Sequence, residues 1–485
     1  MLLTDLLNSF EHSSIKGDTG IEVTDIVYDS RKASPGSMFV CIKGYVRDGH
    51  KYAAEAYAAG ARSFIVSDAI ELPCDAAIIS TNDCRLALSR VSARFYGHPA
   101  QKLLTVGITG TKGKTSSSYM IKSILEKSGY NVGIIGTNGI HYDGCDEMSE
   151  NSTPESCDIH RHLAGMIGCG CNAAVIEVTS QAFKLHRAAD LSFDISLFTN
   201  MGNDHVGGNE HSDFNEYLAC KKMIFDISDK VVVNRDTDHY DEIIAGVKTP
   251  YVTFGFSDGA EYRGEHPDYS VINHRYTTSF FCRSGHGLHR YELGIPGRVS
   301  VENALGAAAL AREIGISFDA IRTGLRTAVV YGRMEILPDT GDVTVIIDYA
   351  HNEMSMRSLF DTVRLYSPRR VICVFGAGGN RSRVRRFDMG RVAGELADLS
   401  VITSDNPRFE KLDDIIADIL TGLLPTGGEH IVVKDRGEAI RYALSTAQPG
   451  DTVLLCGKGQ QDFEEVNGIK THFDEREKVR EYFYR

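Results

Sequence analysis

Residues 107–115 read Gly-Ile-Thr-Gly-Thr-Lys-Gly-Lys-Thr. Glycines let a backbone turn its N–H groups toward an anion, and a helix that starts at the loop adds the favourable end of its dipole. In such a loop Gly110, Thr111, Lys112 and Gly113 would wrap a phosphate. Lys114 would neutralise the β- and γ-phosphates of a nucleotide, and the Thr115 hydroxyl would ligate Mg²⁺. The general phosphate loop has four residues between its first glycine and its Gly-Lys. Here Gly107 leaves five and Gly110 leaves two. The pattern is off by one residue, yet its setting fits: an apolar run precedes it and a helical pattern follows, opening with Thr115 and Ser116.

Three further residues carry chemistry. Glu177 interrupts the apolar run Ala173-Ala174-Val175-Ile176-Glu177-Val178. A carboxylate at a strand end beside a phosphate loop is a usual holder of Mg²⁺; a surface glutamate on an edge strand is the plainer reading. His205, after Asp204, is either a metal ligand or part of a capped turn. Lys221 falls on the apolar stripe of residues 214, 217, 218, 224 and 225, whereas Lys222 does not. A buried ammonium is costly unless paired or modified. Either its amine reaches water past an apolar stem, or CO₂ carbamylates it into an anionic oxygen ligand for Mg²⁺.

Strand-like runs alternate with helical segments along all 485 residues, which predicts α/β domains with mostly parallel sheets. One series of strands covers Leu103–Val106, Val132–Ile135, Ala173–Val178, Ile195–Phe198 and Val231–Val233, with a helix over Thr115–Ser128. A second covers Val343–Ile347, Val371–Phe375, Ser400–Thr403, Ile431–Val433 and Val453–Leu455. Boundaries therefore fall near 100 and 336, giving units 1–100, 101–336 and 337–485. Lys and Arg number 52 against 65 Asp and Glu, a net charge of −13 that disfavours nucleic acid and anionic membranes as partners. The 11 cysteines are scattered and read as reduced thiols of a cytoplasmic protein. No signal peptide and no membrane-spanning run is expected.

The loop Gly110-Thr111-Lys112-Gly113-Lys114-Thr115 resembles the ATP loop of the Mur ligases, which build the muramyl peptide precursors of bacterial cell wall. The likeness covers essentially the whole chain and is nearest to the MurE, or tripeptide-synthetase, type. It is carried, in order, by Asp29-Ser30-Arg31, Asn151-Ser152-Thr153-Pro154, Glu177-Val178-Thr179-Ser180, Gly332-Arg333-Met334-Glu335 and Asp405-Asn406-Pro407-Arg408.

The resemblance implies three domains: a small UDP-binding α/β domain, a central ATPase domain of phosphate-loop type, and a Rossmann-like domain that brings the amino acid. Ser30 and the loop Gly44-Tyr45-Val46-Arg47 would contact UDP. Ser152, Thr153, Thr179 and Arg187 would hold the muramyl dipeptide. Asn303, Arg333 and Asp348 would hold ATP. Lys221 matches the family's carbamylated lysine, with Glu177, His205 and Thr115 completing the Mg²⁺ environment. Arg381, Asp405, Asn406, Pro407, Arg408, Gly457 and Gln461 would face the incoming amino acid. That substrate is expected to be meso-diaminopimelate, whose distal carboxylate suits the Arg408 fork; a surface pair with Glu410 is the plainer role for Arg408. A monomer is expected.

The chain also departs from the family. Gly457-Lys458-Gly459-Gln460-Gln461 replaces Gly-Lys-Gly-His-Glu, so Gln461 stands where a carboxylate is expected. Gln181 and Asn203 replace a usual His and Arg. L-Lysine or another amine, or a related acceptor, is the alternative substrate. A folylpolyglutamate- or cyanophycin-type ligase, a nicotinamide enzyme using Gly376-Ala377-Gly378-Gly379, and a silent binder of the same ligands are the rival readings.

Overall fold

The computed structural model describes residues 1–202, 207, 210–272 and 275–484. The chain divides into two compact units: Met1–Arg263 with Leu305–Ile321, and Gly264–Ala304 with Arg322–Arg485.

The first unit opens with a five-stranded sheet. Ser14–Lys16 runs antiparallel to Ala77–Ser80, which continues in parallel through Ser63–Val66, Ser37–Val40 and Asp25–Val27. The Asp29-Ser30-Arg31 turn predicted from sequence is a short 3₁₀ segment, Ser30–Lys32, capped by the Asp29 carboxylate on the Arg31 N–H.

A larger sheet follows in the same unit. Its parallel strands lie in the order Tyr251–Gly255, Val231–Asn234, Ile195–Phe198, Leu104–Thr109, Ala173–Glu177, Val132–Gly136. The antiparallel pair Gly139–Tyr142 and Cys145–Glu147 closes one edge; no sequence signal had marked it. The first strand runs three residues beyond the predicted Val106, to Thr109, and so delivers the phosphate loop at the carboxyl end of a central strand. The helix Lys114–Lys127 follows. Apolar residues from strands and helices on one face form a continuous core that includes Ile176, Phe198, Tyr217 and Ile224.

The second unit holds a six-stranded sheet. Glu335–Ile336 pairs antiparallel with Thr344–Asp348. Thr452–Cys456, Val371–Phe375, Leu399–Ile402 and His430–Val432 follow in parallel. The long hairpin of Arg275–Ser284 and Gly287–Leu293 is also part of this unit. The inner strands Thr344–Asp348, Thr452–Cys456, Val371–Phe375 and Leu399–Ile402 are largely apolar and buried on both faces, as inner parallel strands require.

One buried histidine creates an acid liability. His160, on the helix Ser156–Gly168, is 1% exposed, and neither ring nitrogen has a hydrogen-bond partner among the described residues. Burial, with a smaller contribution from nearby His98, lowers its pKa from 6.5 to about 4. The unfolded chain therefore binds this proton first. The stability that depends on a neutral His160 is complete above pH 6.5 and is lost as pH falls toward 4, by on the order of 3 kcal/mol. His160→Leu is expected to flatten the fall in melting temperature across that window; an unchanged pH profile would show that another group causes it.

Candidate active site

The phosphate loop lies between the Leu104–Thr109 strand and the Lys114–Lys127 helix. Gly110 has φ +143°, and a Cβ there would stand 2.0 Å from Thr199 Oγ1. Only glycine fits. Gly113, at φ +85°, precedes the first helical residue. Thr199 Oγ1 and Asn200 Nδ2 donate to the Lys112 carbonyl, and Asn200 Oδ1 accepts from the Lys112 N–H. Thr111 Oγ1 accepts from the Gly202 N–H and bonds the Tyr217 hydroxyl. Lys114 Nζ donates to the carbonyls of Gly110 and Thr111 at 2.8 and 3.2 Å. Ser116 is half-buried in the first helical turn.

Glu177 is fully buried on a central strand, which removes the edge-strand reading. Its carboxylate accepts from Thr115 Oγ1 at 3.1 Å, Thr137 Oγ1 at 2.9 Å and the Thr137 N–H at 3.2 Å. Burial pushes its pKa up, opposed by Lys114 and these donors. A hydroxyl and a carboxylate already in contact at a strand end form an all-oxygen donor set suited to Mg²⁺. Thr137 was missed in the sequence; it lies after a different strand, and only the sheet brings it here.

Lys221 is 1% exposed, so the reading with its amine in water fails. Nζ donates to the Gly110 carbonyl at 2.7 Å and lies 4.9 Å from the centre of the Tyr217 ring. His205 and Asn203 lie outside the described residues.

The residues expected to grip the muramyl dipeptide adjoin this set. Ser152 Oγ and Thr137 Oγ1 are in hydrogen-bond contact at 2.8 Å. Thr153 is fully buried and donates to the Glu177 carbonyl, while accepting from the Thr179 N–H. Thr179 caps the helix Ser180–Lys184. Arg187 pairs with Glu155 at 3.0 Å and donates to the Thr153 carbonyl; Arg85 engages the same Glu155 at 2.8 Å. A separate cleft of about 320 Å³ gathers Ser30, Gly44 and Arg47 with Tyr28, Phe39 and Tyr52. Tyr45 and Val46, 57% and 93% exposed, do not line it. Tyr45 reaches Gln181 instead.

In the second unit a cleft of about 250 Å³ brings together Arg381, Asp405, Asn406, Arg408, Gly457 and Gln461. Pro407 does not line it. Arg408 pairs with Glu465 at 3.3 Å and donates to the Gly379 carbonyl, not to Glu410; Glu410 is held by Arg386. Gln461 accepts from Asn406 Nδ2 at 2.8 Å. Lys458 is fully buried, 3.5 Å from Asp405 Oδ1, and donates to the Phe463 carbonyl. His351 and Arg385 also line the cleft; both went unassigned in the sequence because no local pattern links them to Asp405, Arg408 and Gln461. Arg333 packs its guanidinium 5.1 Å from the Tyr349 ring centre. Asp348 accepts from the Met334 and Ala350 N–H groups, and Asn303 is buried on the helix Arg298–Glu313.

This architecture and loop fit a nucleotide-binding α/β protein, and the comparisons place it among ligases. The family descriptions "Mur ligase family, catalytic domain", "Mur ligase middle domain" and "Mur ligase, glutamate ligase domain" match residues 22–96, 108–311 and 332–459. The chain belongs to the Mur ligase family. It is 35% identical to the UDP-N-acetylmuramoyl-L-alanyl-D-glutamate–2,6-diaminopimelate ligase of Clostridium perfringens, over 99% of both chains. It is 36% identical to the same-named protein of Caldanaerobacter subterraneus, over 99% of this chain and 98% of that one. A solved ligase of that name superposes with TM-score 0.73 at 24% identity, over 100% and 99% of the two chains. MurF from Acinetobacter baumannii gives 0.67 at 21%, over 95% and 96%. These two structural likenesses concern the fold.

The room for Glu177 comes from Gly136, where a Cβ would lie 2.3 Å from Glu177 Oε1. Gly136→Ala is expected to cost about 1–3 kcal/mol in denaturant unfolding, and most of that cost should vanish in a Glu177→Ala background. Additive costs would show that the two side chains do not compete for space.

Proposed function

We propose that this protein is an ATP-dependent amide ligase that adds an amino acid, with meso-diaminopimelate favoured, to UDP-N-acetylmuramoyl-L-alanyl-D-glutamate. The observation that carries this reading is the bonded set Thr115–Glu177–Thr137 beside a glycine phosphate loop, in a chain aligned end to end with relatives bearing that name. The cleft around Ser30, Gly44 and Arg47 supports a UDP end over the folylpolyglutamate-type alternative.

The acceptor's D-glutamyl carboxylate attacks the γ-phosphate of ATP, giving an acyl phosphate and ADP. The amine of the incoming amino acid then displaces phosphate and forms the amide. Lys114 gives up its loop carbonyls to neutralise the transferring phosphate, and N–H groups at the start of the Lys114–Lys127 helix hold its oxygens. Glu177, Thr115 and His205 would hold Mg²⁺, which when bound offsets charge on the phosphates. Asn303, Arg333 and Asp348 would hold the rest of the nucleotide. Ser152, Thr153, Thr179 and Arg187 would border the muramyl peptide; Arg187 and Thr153 act in large part by bracing Glu155 and the end of the Glu177 strand. Arg381 and Arg408 offer guanidinium forks to the distal carboxylate of the amino acid. Functional divisions at 1–100, 101–336 and 337–485, a cytoplasmic site of action and a monomeric state complete the reading. No helix among the described residues is long and apolar enough to cross a membrane.

The deciding assay is phosphate release from ATP and Mg²⁺ with UDP-N-acetylmuramoyl-L-alanyl-D-glutamate. The expected result is release that depends on meso-diaminopimelate and not on L-lysine or L-ornithine. Release with another amine would keep the ligase and overturn the role of Arg408; no release with any would sink the proposal.

Lys221 is proposed to react with CO₂, its amine forming an N–C bond and releasing a proton, to give a carbamate that joins the Mg²⁺ environment. Its deep burial beside the phosphate loop supports this. Lys221→Ala is expected to lose at least 100-fold in turnover and to recover part of it with added short-chain carboxylic acid. Full activity without the acid would refute the carbamate.

A further inference from the structure

The antiparallel pair at the edge of the large sheet carries a side-chain cluster that the ligase reaction does not use. Cys145 and Glu147 lie on one strand of that pair, and His162 lies on the Ser156–Gly168 helix. One ligand atom from each lies within 4.8 Å of the other two. His162 is 8% exposed, and its Nε2 stands 3.7 Å from Glu147 Oε2. That is too long for a hydrogen bond. It matches the edge of a tetrahedral zinc site, where ligand atoms at about 2.0–2.3 Å from the metal lie roughly 3.3–3.7 Å apart. The other ring nitrogen, Nδ1, meets the Tyr142 hydroxyl at 3.3 Å. A partner at Nδ1 fixes the ring and leaves Nε2 to a metal.

We propose that Cys145, Glu147 and His162 bind one thiophilic divalent cation of the zinc type. The donor set is one thiolate, one imidazole and one carboxylate, which suits zinc and not Mg²⁺. The fourth position would face solvent, where Glu147 is exposed, and is left to water. Binding forms the sulfur–metal bond and releases the Cys145 thiol proton to solvent. The cation would clamp the edge strands to the helix Ser156–Gly168.

A second cluster, Asp48, His50 and Asp68, does not qualify. His50 Nδ1 bonds Asp48 at 2.6 Å, and Nε2 accepts from the N–H groups of Ser67 and Asp68. Both ring nitrogens are already engaged.

The test is Co²⁺ titration of the full chain after chelator treatment, followed by Zn²⁺ competition. The expected result is one equivalent bound with thiolate-to-cobalt charge-transfer absorption. That absorption should be retained in Cys74→Ser and lost in Cys145→Ser. His162→Ala should weaken Zn²⁺ binding at least tenfold. Zn²⁺ should also raise the melting temperature of the parent protein and not of Cys145→Ser, which separates loss of the site from loss of the fold. Absence of the absorption in the parent, or its persistence in Cys145→Ser, would overturn the site. Neither result bears on the phosphate-release assay, so failure here is distinct from failure of the ligase reading.

Discussion

One carboxylate organises the first unit. Glu177 sits where water does not reach, and a buried acid is tolerated only if donors replace its hydration. Thr115 supplies one from the phosphate-loop helix, and Thr137 supplies two from the neighbouring strand end. Gly136 gives up its side chain to make room. Thr153 then ties the Glu177 carbonyl to the segment that carries Ser152 and Glu155. The loop, two strand ends and that segment are therefore held by one set of bonds. The Glu177 carboxylate is thus pre-positioned by its donors.

The second unit solves a similar problem with the opposite charge. Arg436 is 2% exposed and pairs with Glu475, which is as deeply buried. The same guanidinium donates to the carbonyls of Ser404 and Cys456 at 2.8 Å each. Those carbonyls lie beside Asp405 and Gly457, so Arg436 fixes the two strand ends that shape the cleft. Such a pair adds little net stability over apolar residues, but loss of either partner strands a charge. Its value here is geometric. It holds the cleft wall on which Arg408 meets Glu465 and Gln461 meets Asn406.

Much of this was legible in the sequence. The strands Ile195–Phe198 and Val371–Phe375 stand where their apolar runs placed them, because buried parallel strands need continuous apolar stretches. The phosphate loop showed itself through glycines whose positive φ or tight surroundings admit no other residue. The stripe on Phe214–Asp226 put Lys221 inward, and it is inward. The antiparallel pair from Gly139 to Glu147 was invisible, since three- and four-residue strands carry too little alternation to register.

The sequence alone determined what local chemistry dictates: an α/β chain, a loop built for phosphate, and the family likeness carried by motifs in order. What it could not determine was which distant groups meet. Thr137 joins Glu177 because two parallel strands lie side by side, and Arg408 turns to Glu465 and not to the nearby Glu410 because a left-handed backbone at φ +53° and the bridge to Val466 aim it there. Lys221 meets Gly110 across more than a hundred residues for the same reason. Residue type and spacing fix what a segment can do. The sheet's order and register decide with what, because contacts between remote segments follow from packing that no local pattern encodes.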